Sequence, residues 1–513
     1  METELKLAIL PEHARQLQRH HLLKQLATEK PQHEALESTY FDTPDLYFRR
    51  HGASLRVRHS ASKGWLQTLK GSATPTAGLQ ERDEWETSLT GSTPDLAALR
   101  ALLKDDRHWN RLLRRARDQC LVPLFVTQVK RHSWMLRLPK GDLVELALDR
   151  GKIVHANLAT DISELELELK SGTAAHLFDF ALTLQELVPL RIDNTSKAER
   201  GFSLCVPQPP AIVMADRCDL NLSMTTEQAC QTILLNCLHQ IEGNADGVVH
   251  GHDPESVHQM RVGVRRLKSA LILFKKVIQL PEPLQNDLTH ITHALGEARD
   301  WEVLRDTSLA EVVKNNQNGT ALQGLQETVA LITRQKHQAA ARTILSPRYT
   351  HWLLAFAGWV KAARWRASLT SAQQDGLAAP ITGYAELELK IRYQQLRRQG
   401  KNISQLNAEQ VHQLRITAKK LRYTLMFFSP LAANGTMSRP IKKLSALQDI
   451  LGKMNDLSVA SNLLAQIKQH HPELASLSDA SLTYLAASAQ EHRRQLNREW
   501  KRFSQSKLKF DSP

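Results

Sequence analysis

The sequence is short of cysteine and of aromatics, and it has no long apolar runs. Five cysteines stand in 513 residues, at Cys120, Cys205, Cys218, Cys230 and Cys237. An odd number cannot all pair internally, and none forms C-x-x-C, so they read as packing residues in a reducing cytoplasm. No stretch of about 18 uncharged apolar residues occurs, which leaves no candidate membrane span. Charge begins at Glu2, which argues against a secretory leader. There is no G-x-x-x-x-G-K-[ST] loop, no H-E-x-x-H and no recognisable Ser/His/Asp order, so P-loop, zinc-peptidase and covalent hydrolase chemistry find no support.

What is present is 42% hydrophobic residues, ordinary for a folded chain, and length for about two to four domains. The net charge of +14 is unevenly placed. Residues 1–205 carry 29 Lys and Arg against 27 Asp and Glu, and the rest carries 38 against 26. The second part is therefore the natural polyanion binder.

Residues 1–205 read as strands with helices between them. Period-two segments recur, among them "METELKL", "SLRVRHS", "WLQTLKG", "LQERDEWETSL", "LFVTQVKRHSWMLRL", "LVELALDRG" and "ISELELELK". Turn signals such as "PKGD" and "DRGK" separate several of them. "DLAALRALL" and residues 174–187 have helical spacing. The Pro-rich stretch 206–223 reads as a linker. From residue 224 to 513 the pattern is long amphipathic helices, with loops expected at 314–320 and 370–380. An internal repeat runs through them: "HQMRVGVRRLKSALILF" from His258 and "HQLRITAKKLRYTLMFF" from His412, followed by "ALGEARDWEVL" and "ILGKMNDLSVA". A unit used twice suggests two similar helical bundles.

The strand faces carry paired charge. Alternation puts Glu2, Glu4 and Lys6 on one face, opposite Thr3, Leu5 and Leu7. Glu164, Glu166, Glu168 and Lys170 share a face, as do Glu145 with Asp149, Arg56 with Arg58, and Arg82 with Glu84. Lys70 ends one strand and Arg131 sits in another. A solvated face explains any one strand. Three successive glutamates repel one another, and bound cations would relieve them. Strands of paired arginine beside acidic strands are what a metal–phosphate complex needs, and a closed barrel turns such faces inward.

"E-x-E-x-K" at the N-terminus, with "YFDTPD", "LRVR", "ELELEL" and "SKAERG" in order, resembles the CYTH, or triphosphate tunnel metalloenzyme, superfamily over residues 1–205. The resemblance implies an antiparallel β-barrel of eight strands forming a tunnel. It implies divalent cations, Mg²⁺ or Mn²⁺, held by Glu2, Glu4, Glu166 and Glu168, with Glu145 and Asp149 as further acids. It implies a triphosphate gripped by Lys6, Arg56, Arg58, Lys70, Arg82, Arg131, Lys197 and Arg200. The reaction implied is hydrolysis of a phosphoanhydride. Inorganic triphosphate is the expected substrate, with thiamine triphosphate, a nucleotide or adenylyl cyclase chemistry as alternatives.

In the second part, His258, Arg261, Arg265 and Lys268 fall at helical offsets 0, 3, 7 and 10, within an arc of about 80°. His412, Arg415, Lys419 and Arg422 repeat those offsets. Neither face has interleaved acids. The doubled "HxxR-xxx-[RK]", each time followed by "LGxx[RN]D", resembles the CHAD domain over 224–505. That implies an all-α domain of two four-helix bundles whose basic surface binds inorganic polyphosphate. His258, Arg261, Arg265, Arg266, His412, Arg415, Lys419 and Lys420 are its candidates, and Arg299, Asp300, Asn455 and Asp456 would brace the bundles. Nucleic acid is the rival ligand, disfavoured by the lack of interleaved aromatics and of a DNA-reading motif. The expectation is a cytoplasmic enzyme placed near polyphosphate, with a catalytically idle polyphosphate-binding protein as the alternative.

Overall fold

The computed structural model describes residues 2–60, 64–116, 119–251, 254–315, 322–432 and 437–505. The chain divides into two compact units. One is Met1–Pro209 with Pro347–Ala362, and the other is Pro210–Ser346 with Ala363–Pro513. No helix among the described residues is long and apolar enough to cross a membrane.

The first unit is an antiparallel barrel. Its strands are β1 (Glu2–Ile9), β2 (Gln32–Asp42), β3 (Ala53–Ser60), β4 (Gly64–Gly71), β5 (Leu79–Arg82), β6 (Glu84–Leu89), β7 (Val122–Arg137), β8 (Leu143–His155), β9 (Leu158–Ser171) and β10 (Leu190–Ile192). They pair in the order β10-β1-β9-β8-β7-β2-β3-β4-β6. β5 pairs with β1 while β6, one residue further on, pairs with β4. The segment Leu79–Leu89 thus joins the two sides of the sheet and closes it.

Alternation then sorts the side chains. Leu5, Leu7, Leu146, Leu148, Leu165 and Leu167 lie on the outer face and are fully buried. Each such leucine contributes about 1.5–3 kcal/mol. The outer face of β3 and β4 is covered by Phe48, Leu99, Trp109, Leu112 and Leu113 from three helices. "YFDTPD" is a built turn. The buried Asp42 carboxylate accepts from the backbone N–H of Thr43, Phe48 and Arg49, which starts the helix Tyr47–Arg50.

One end of the barrel interior is apolar. Inward-facing Leu36, Tyr40, Phe125, Val129, Ile153 and Ile162 cluster with Phe202 of the helix Lys197–Cys205. "SKAERG" begins this helix. Ser196 and Glu199 form its capping box. Gly201 is required by space, since a Cβ there would lie 2.1 Å from the Phe125 ring.

Helix Pro347–Lys361, within the range expected to be wholly helical domain, groups with the barrel unit. It packs against the helix Ala175–Leu187 and β10. Gln185 donates to the Pro347 carbonyl at 2.8 Å, and Lys361 pairs with Glu81 of β5 at 3.0 Å. Trp352, Phe356 and Trp359 are buried and packed ring against ring.

Among the described residues, every regular element of the second unit is a helix. Thr226–Glu242, Pro254–Leu273, Ile381–Gln399 and Ala408–Phe428 pack as one bundle. Glu282–Val303, Gln323–Leu345, Ser438–His470 and Ala475–Ser504 build the other, around Leu325, Val329, Leu464 and Leu485. Each half of the repeat gives two helices to each bundle. The segment from Pro210, expected as linker, belongs to this unit: Asn244 exchanges hydrogen bonds with the Val213 backbone, and Cys218 is buried. The expected loop at 370–380 is instead a short helix, Ser371–Ala378, because Thr370 and Gln373 form a capping box. The other expected loop lies largely outside the described residues.

Helix Pro347–Lys361 makes a testable demand. Trp352→Ala removes a fully buried indole, and the expected loss is about 3–5 kcal/mol from the barrel unit. Urea unfolding followed by hydrogen exchange of the barrel strands measures it. An unchanged midpoint would show that the helix does not support the barrel.

Candidate functional site

The inner face of the barrel gathers charge from nearly every strand. In the ladders Glu2 pairs with Arg82, Lys6 with Glu166, Arg131 with Asp149, and Lys70 with Glu84. Those pairs share the inward side with Glu4, Arg56, Arg58, Glu86, Glu164 and Glu168.

One end of this network centres on Glu164, which is fully buried. Lys6 lies 3.0 Å from it and 3.2 Å from Asp193, and donates to the Thr195 carbonyl at 2.6 Å. Lys197 and Arg200, one helical turn apart on the plugging helix, also pair with Glu164. Lys197 reaches Asp149 at 2.7 Å and Glu166 at 2.8 Å. Arg131 forks onto Asp149 at 2.8 and 2.6 Å and touches Glu166. Carboxylate oxygens of Asp149, Glu164 and Glu166 all lie within 4.8 Å of one another, close enough to share one metal ion.

A second group sits around β1 and β5. Lys70 lies 2.9 Å from both Glu2 and Glu84, and Arg82 bonds Glu2 at 3.0 Å and also Glu4. Burial alone raises the Glu2 carboxyl, but Lys70 and Arg82 outweigh it and hold the group at about 2. Glu4 goes the other way. Burial, reinforced by the charge of Glu166, pushes it up to about 7 despite Arg82. The low-dielectric interior therefore favours the neutral form of Glu4, and the neighbouring charges of Glu166 and Glu2 add to that effect.

The opposite wall is basic and thinly paired. Arg56 reaches Glu84 only at 3.7 Å and Arg58 reaches Glu86 at 3.4 Å. The Nε atoms of Arg56, Arg58 and Arg200 are buried with no hydrogen-bond partner among the described residues. Burial and then the neighbouring Arg56 charge lower the Arg58 guanidinium.

All the barrel residues singled out in the sequence thus face one interior, with two set apart. Glu145 and Glu168 lie farther along it, tied together by Lys170 at 2.9 and 2.7 Å and half exposed. Three acids central to the geometry were not among the assigned candidates: Glu164, Glu84 and Glu86. Glu164 heads the "ELELEL" face, so its direction was visible, but its depth was not.

In the helical unit the two basic helices pack in the same bundle. Arg261 donates to Asp300 at 2.7 Å and to the Gly296 carbonyl at 2.8 Å. Burial, followed by the charges of Arg415, Arg265 and Arg261, lowers the Lys419 ammonium to about 7. The charges of both repeats therefore act on one place. The Nε atoms of Arg265, Arg415 and Arg422 are buried without a partner among the described residues. His258 is half-buried beside Arg299, and His412 is exposed. Arg266 and Lys420 stand apart. Arg266 is buried, bonded to Gln240 and Asn236 at 2.6 Å and stacked over Phe427, while Lys420 lies among Arg392 and Lys275.

Comparison with known proteins follows the same division. The CYTH domain model matches residues 1–202 and the CHAD domain model matches residues 232–465. A protein of Haemophilus influenzae named inorganic triphosphatase is 33% identical over 204 residues, which are 40% of this chain and 54% of that protein. The match thus spans only about half the length of that relative. An uncharacterized protein of Mycobacterium tuberculosis is 28% identical over 479 residues, covering 84% of this chain and 82% of its own. The crystal structure of the CHAD domain from the plant Ricinus communis is 32% identical, with a TM-score of 0.53, and it covers 58% of this chain and 98% of its own. The chain carries a CYTH domain followed by a CHAD domain.

Proposed function

We propose that the barrel hydrolyses a phosphoanhydride of inorganic triphosphate and that the basic face of the helical unit binds inorganic polyphosphate. The observation that carries the reading is the division of one buried interior into an acid cluster and a basic wall with unpartnered guanidinium nitrogens. The relative named inorganic triphosphatase supports the substrate.

The residues fit a divalent cation. Three carboxylates converge within 4.8 Å, and burial, reinforced by the charge of Glu166, disfavours the ionised form of Glu4 beside them. Glu2, Glu4, Asp149, Glu164 and Glu166 would hold Mg²⁺ or Mn²⁺, both of which take oxygen ligands. When bound, the metal supplies Lewis acidity and charge neutralisation for the phosphates. Arg56 and Arg58 bind phosphate oxygens through planar forks. Lys6, Lys70, Arg82, Arg131, Lys197 and Arg200 exchange their carboxylate partners for phosphate and stabilise charge on the leaving group. The enzyme acts in the cytoplasm, near the polymer that its second unit holds.

A polyphosphate-binding protein with an idle barrel is the second reading. Phosphate release from inorganic triphosphate, thiamine triphosphate and ATP, with Mg²⁺, with Mn²⁺ and with chelator, separates the two. Fast, chelator-sensitive release from inorganic triphosphate is expected. No release from any of the three, in protein that still binds polyphosphate, would establish the second reading. Arg58→Ala removes a wall donor and should cost about 10²–10³ in turnover. Wild-type rates in that variant would take the basic wall out of the mechanism.

Polyphosphate binding carries a pH signature. Lys419 is half neutral near pH 7 in the free protein. A bound polyanion favours its charged form, so binding takes up a proton and affinity falls as pH rises from about 6 to 8. Lys419→Arg keeps the charge and should flatten that fall. Titration calorimetry in buffers of different ionisation enthalpy reads both effects. Binding without proton uptake in the wild type would remove Lys419 from the site.

A further inference from the structure

On the outer side of the barrel, β7, β8 and the helix Pro11–Arg19 border an open cavity of about 300 Å³. Gln18, Lys130, His132, Leu148, Arg150 and Gly151 line it. Lys130 and Arg150 are direct cross-strand partners in the β7–β8 ladder. Side chains so placed start about 5 Å apart, and like charges there repel. Their directly opposite neighbours on the flanking strands carry no charge, and the acids of that face, Glu37 and Asp161, stand one diagonal step away. Ala35 faces Lys130 from β2, and Ser163 faces Arg150 from β9. Neither cation has an ion pair or side-chain hydrogen bond among the described residues.

The third polar group is fixed in place. Gln18 donates its amide to His132 Nδ1 at 2.7 Å. The neutral imidazole then carries its proton on Nε2. His33 packs edge-on against the ring, with centroids 4.3 Å apart. The lining thus offers two full positive charges, a held imidazole and an amide, with no carboxylate. A lone surface lysine needs no ligand, but two unpaired cations set side by side on one wall of a cavity repel each other until an anion bridges them.

We propose that this cavity binds a small condensed phosphate, an anion of the pyrophosphate class. Two adjacent cations match a small anion that carries more than one charge, and the volume suits a small ligand. The source of the ligand, though not the site, rests on the barrel hydrolysing triphosphate. The location also has a consequence. Lys130, His132 and Arg150 are the sequence neighbours of Arg131 and Asp149, which point inward from the same two strands. A ligand that draws Lys130 and Arg150 together acts on the strand segments that set the Arg131–Asp149 pair.

The test uses the full chain with chelator present. Equilibrium dialysis with labelled pyrophosphate counts bound equivalents in the wild type, in Lys130→Gln/Arg150→Gln and in the tunnel variant Arg58→Ala. The outer double variant should lose one equivalent or bind it about tenfold more weakly, and Arg58→Ala should retain it. Equal binding by the outer variant and the wild type would overturn the site. If no triphosphate is hydrolysed while the outer variant still loses its equivalent, the barrel reading fails and the site stands. Thermal unfolding without ligand is a second check. Removing the repulsion should leave the double variant at least as stable as the wild type. A clear loss of stability would show that the pair has a structural role, and would also overturn the proposal.

Discussion

Charge buried inside the barrel is the constraint on which the first unit depends. The ladder places Asp149 opposite Glu164 and Glu4 opposite Glu168, pairings that repel. Lys6 opposite Glu166 and Arg131 opposite Asp149 offset part of this within the sheet. The remainder comes from outside it. Lys197 alone touches Asp149, Glu164 and Glu166, and it sits on a helix rather than a strand. The features of "SKAERG" follow from that need. The capping box starts the helix beside the acids, Lys197 and Arg200 face them, and Gly201 lets the backbone close on Phe125. Loss of one partner from such a buried set costs far more than the pair contributes, because the other charge is left unpaired.

Alternation made much of this legible in the sequence. A period of two fixes which residues share a face, so the inward direction of Glu2, Glu4, Lys6, Arg56, Arg58 and Glu166 could be read directly. Distance along the barrel could not. Glu145, Glu168 and Glu164 follow the same rule, yet the first two lie half exposed beside Lys170 while Glu164 is fully buried. Helical spacing has the matching limit. It shows that Pro347–Lys361 has an apolar surface, but an apolar surface does not name its partner, and the partner is the barrel unit. Arg266 and Lys420 sit eight residues after their histidines, which places them about 80° from those histidines on the side away from the other cations. That angle turns Arg266 toward Gln240 and Phe427, inside the bundle.

The repeat carries more than duplication. Had each repeat formed its own bundle, the two basic faces would have belonged to separate bodies. Instead Pro254–Leu273 and Ala408–Phe428 share one bundle, and Arg261, Arg265, Arg415 and Lys419 act on one another electrostatically. Asp300 and Asp456 temper this gathering without cancelling it. Asp300 holds Arg261 in place, and the charge of Asp456 favours the protonated forms of Arg415 and Lys419.

The two charged regions therefore differ in kind. In the barrel nearly every cation already has a carboxylate, so an incoming phosphate must displace an ion pair and needs something else to take up the freed acid. On the proposed reading a divalent cation meets that need, which makes anion and metal mutually dependent there and favours a compact, densely charged ligand. Among the described residues the cations of the helical face other than Arg261 have no ion pair, so an anion would displace mainly water and counterions there. If it binds polyphosphate as proposed, such a face selects for length and charge density, and its binding should weaken steeply with salt. On the proposed reading, the same polyphosphate chemistry meets two different filters in one chain. One holds any sufficiently long polyanion, and the other admits only what can be exchanged against a carboxylate.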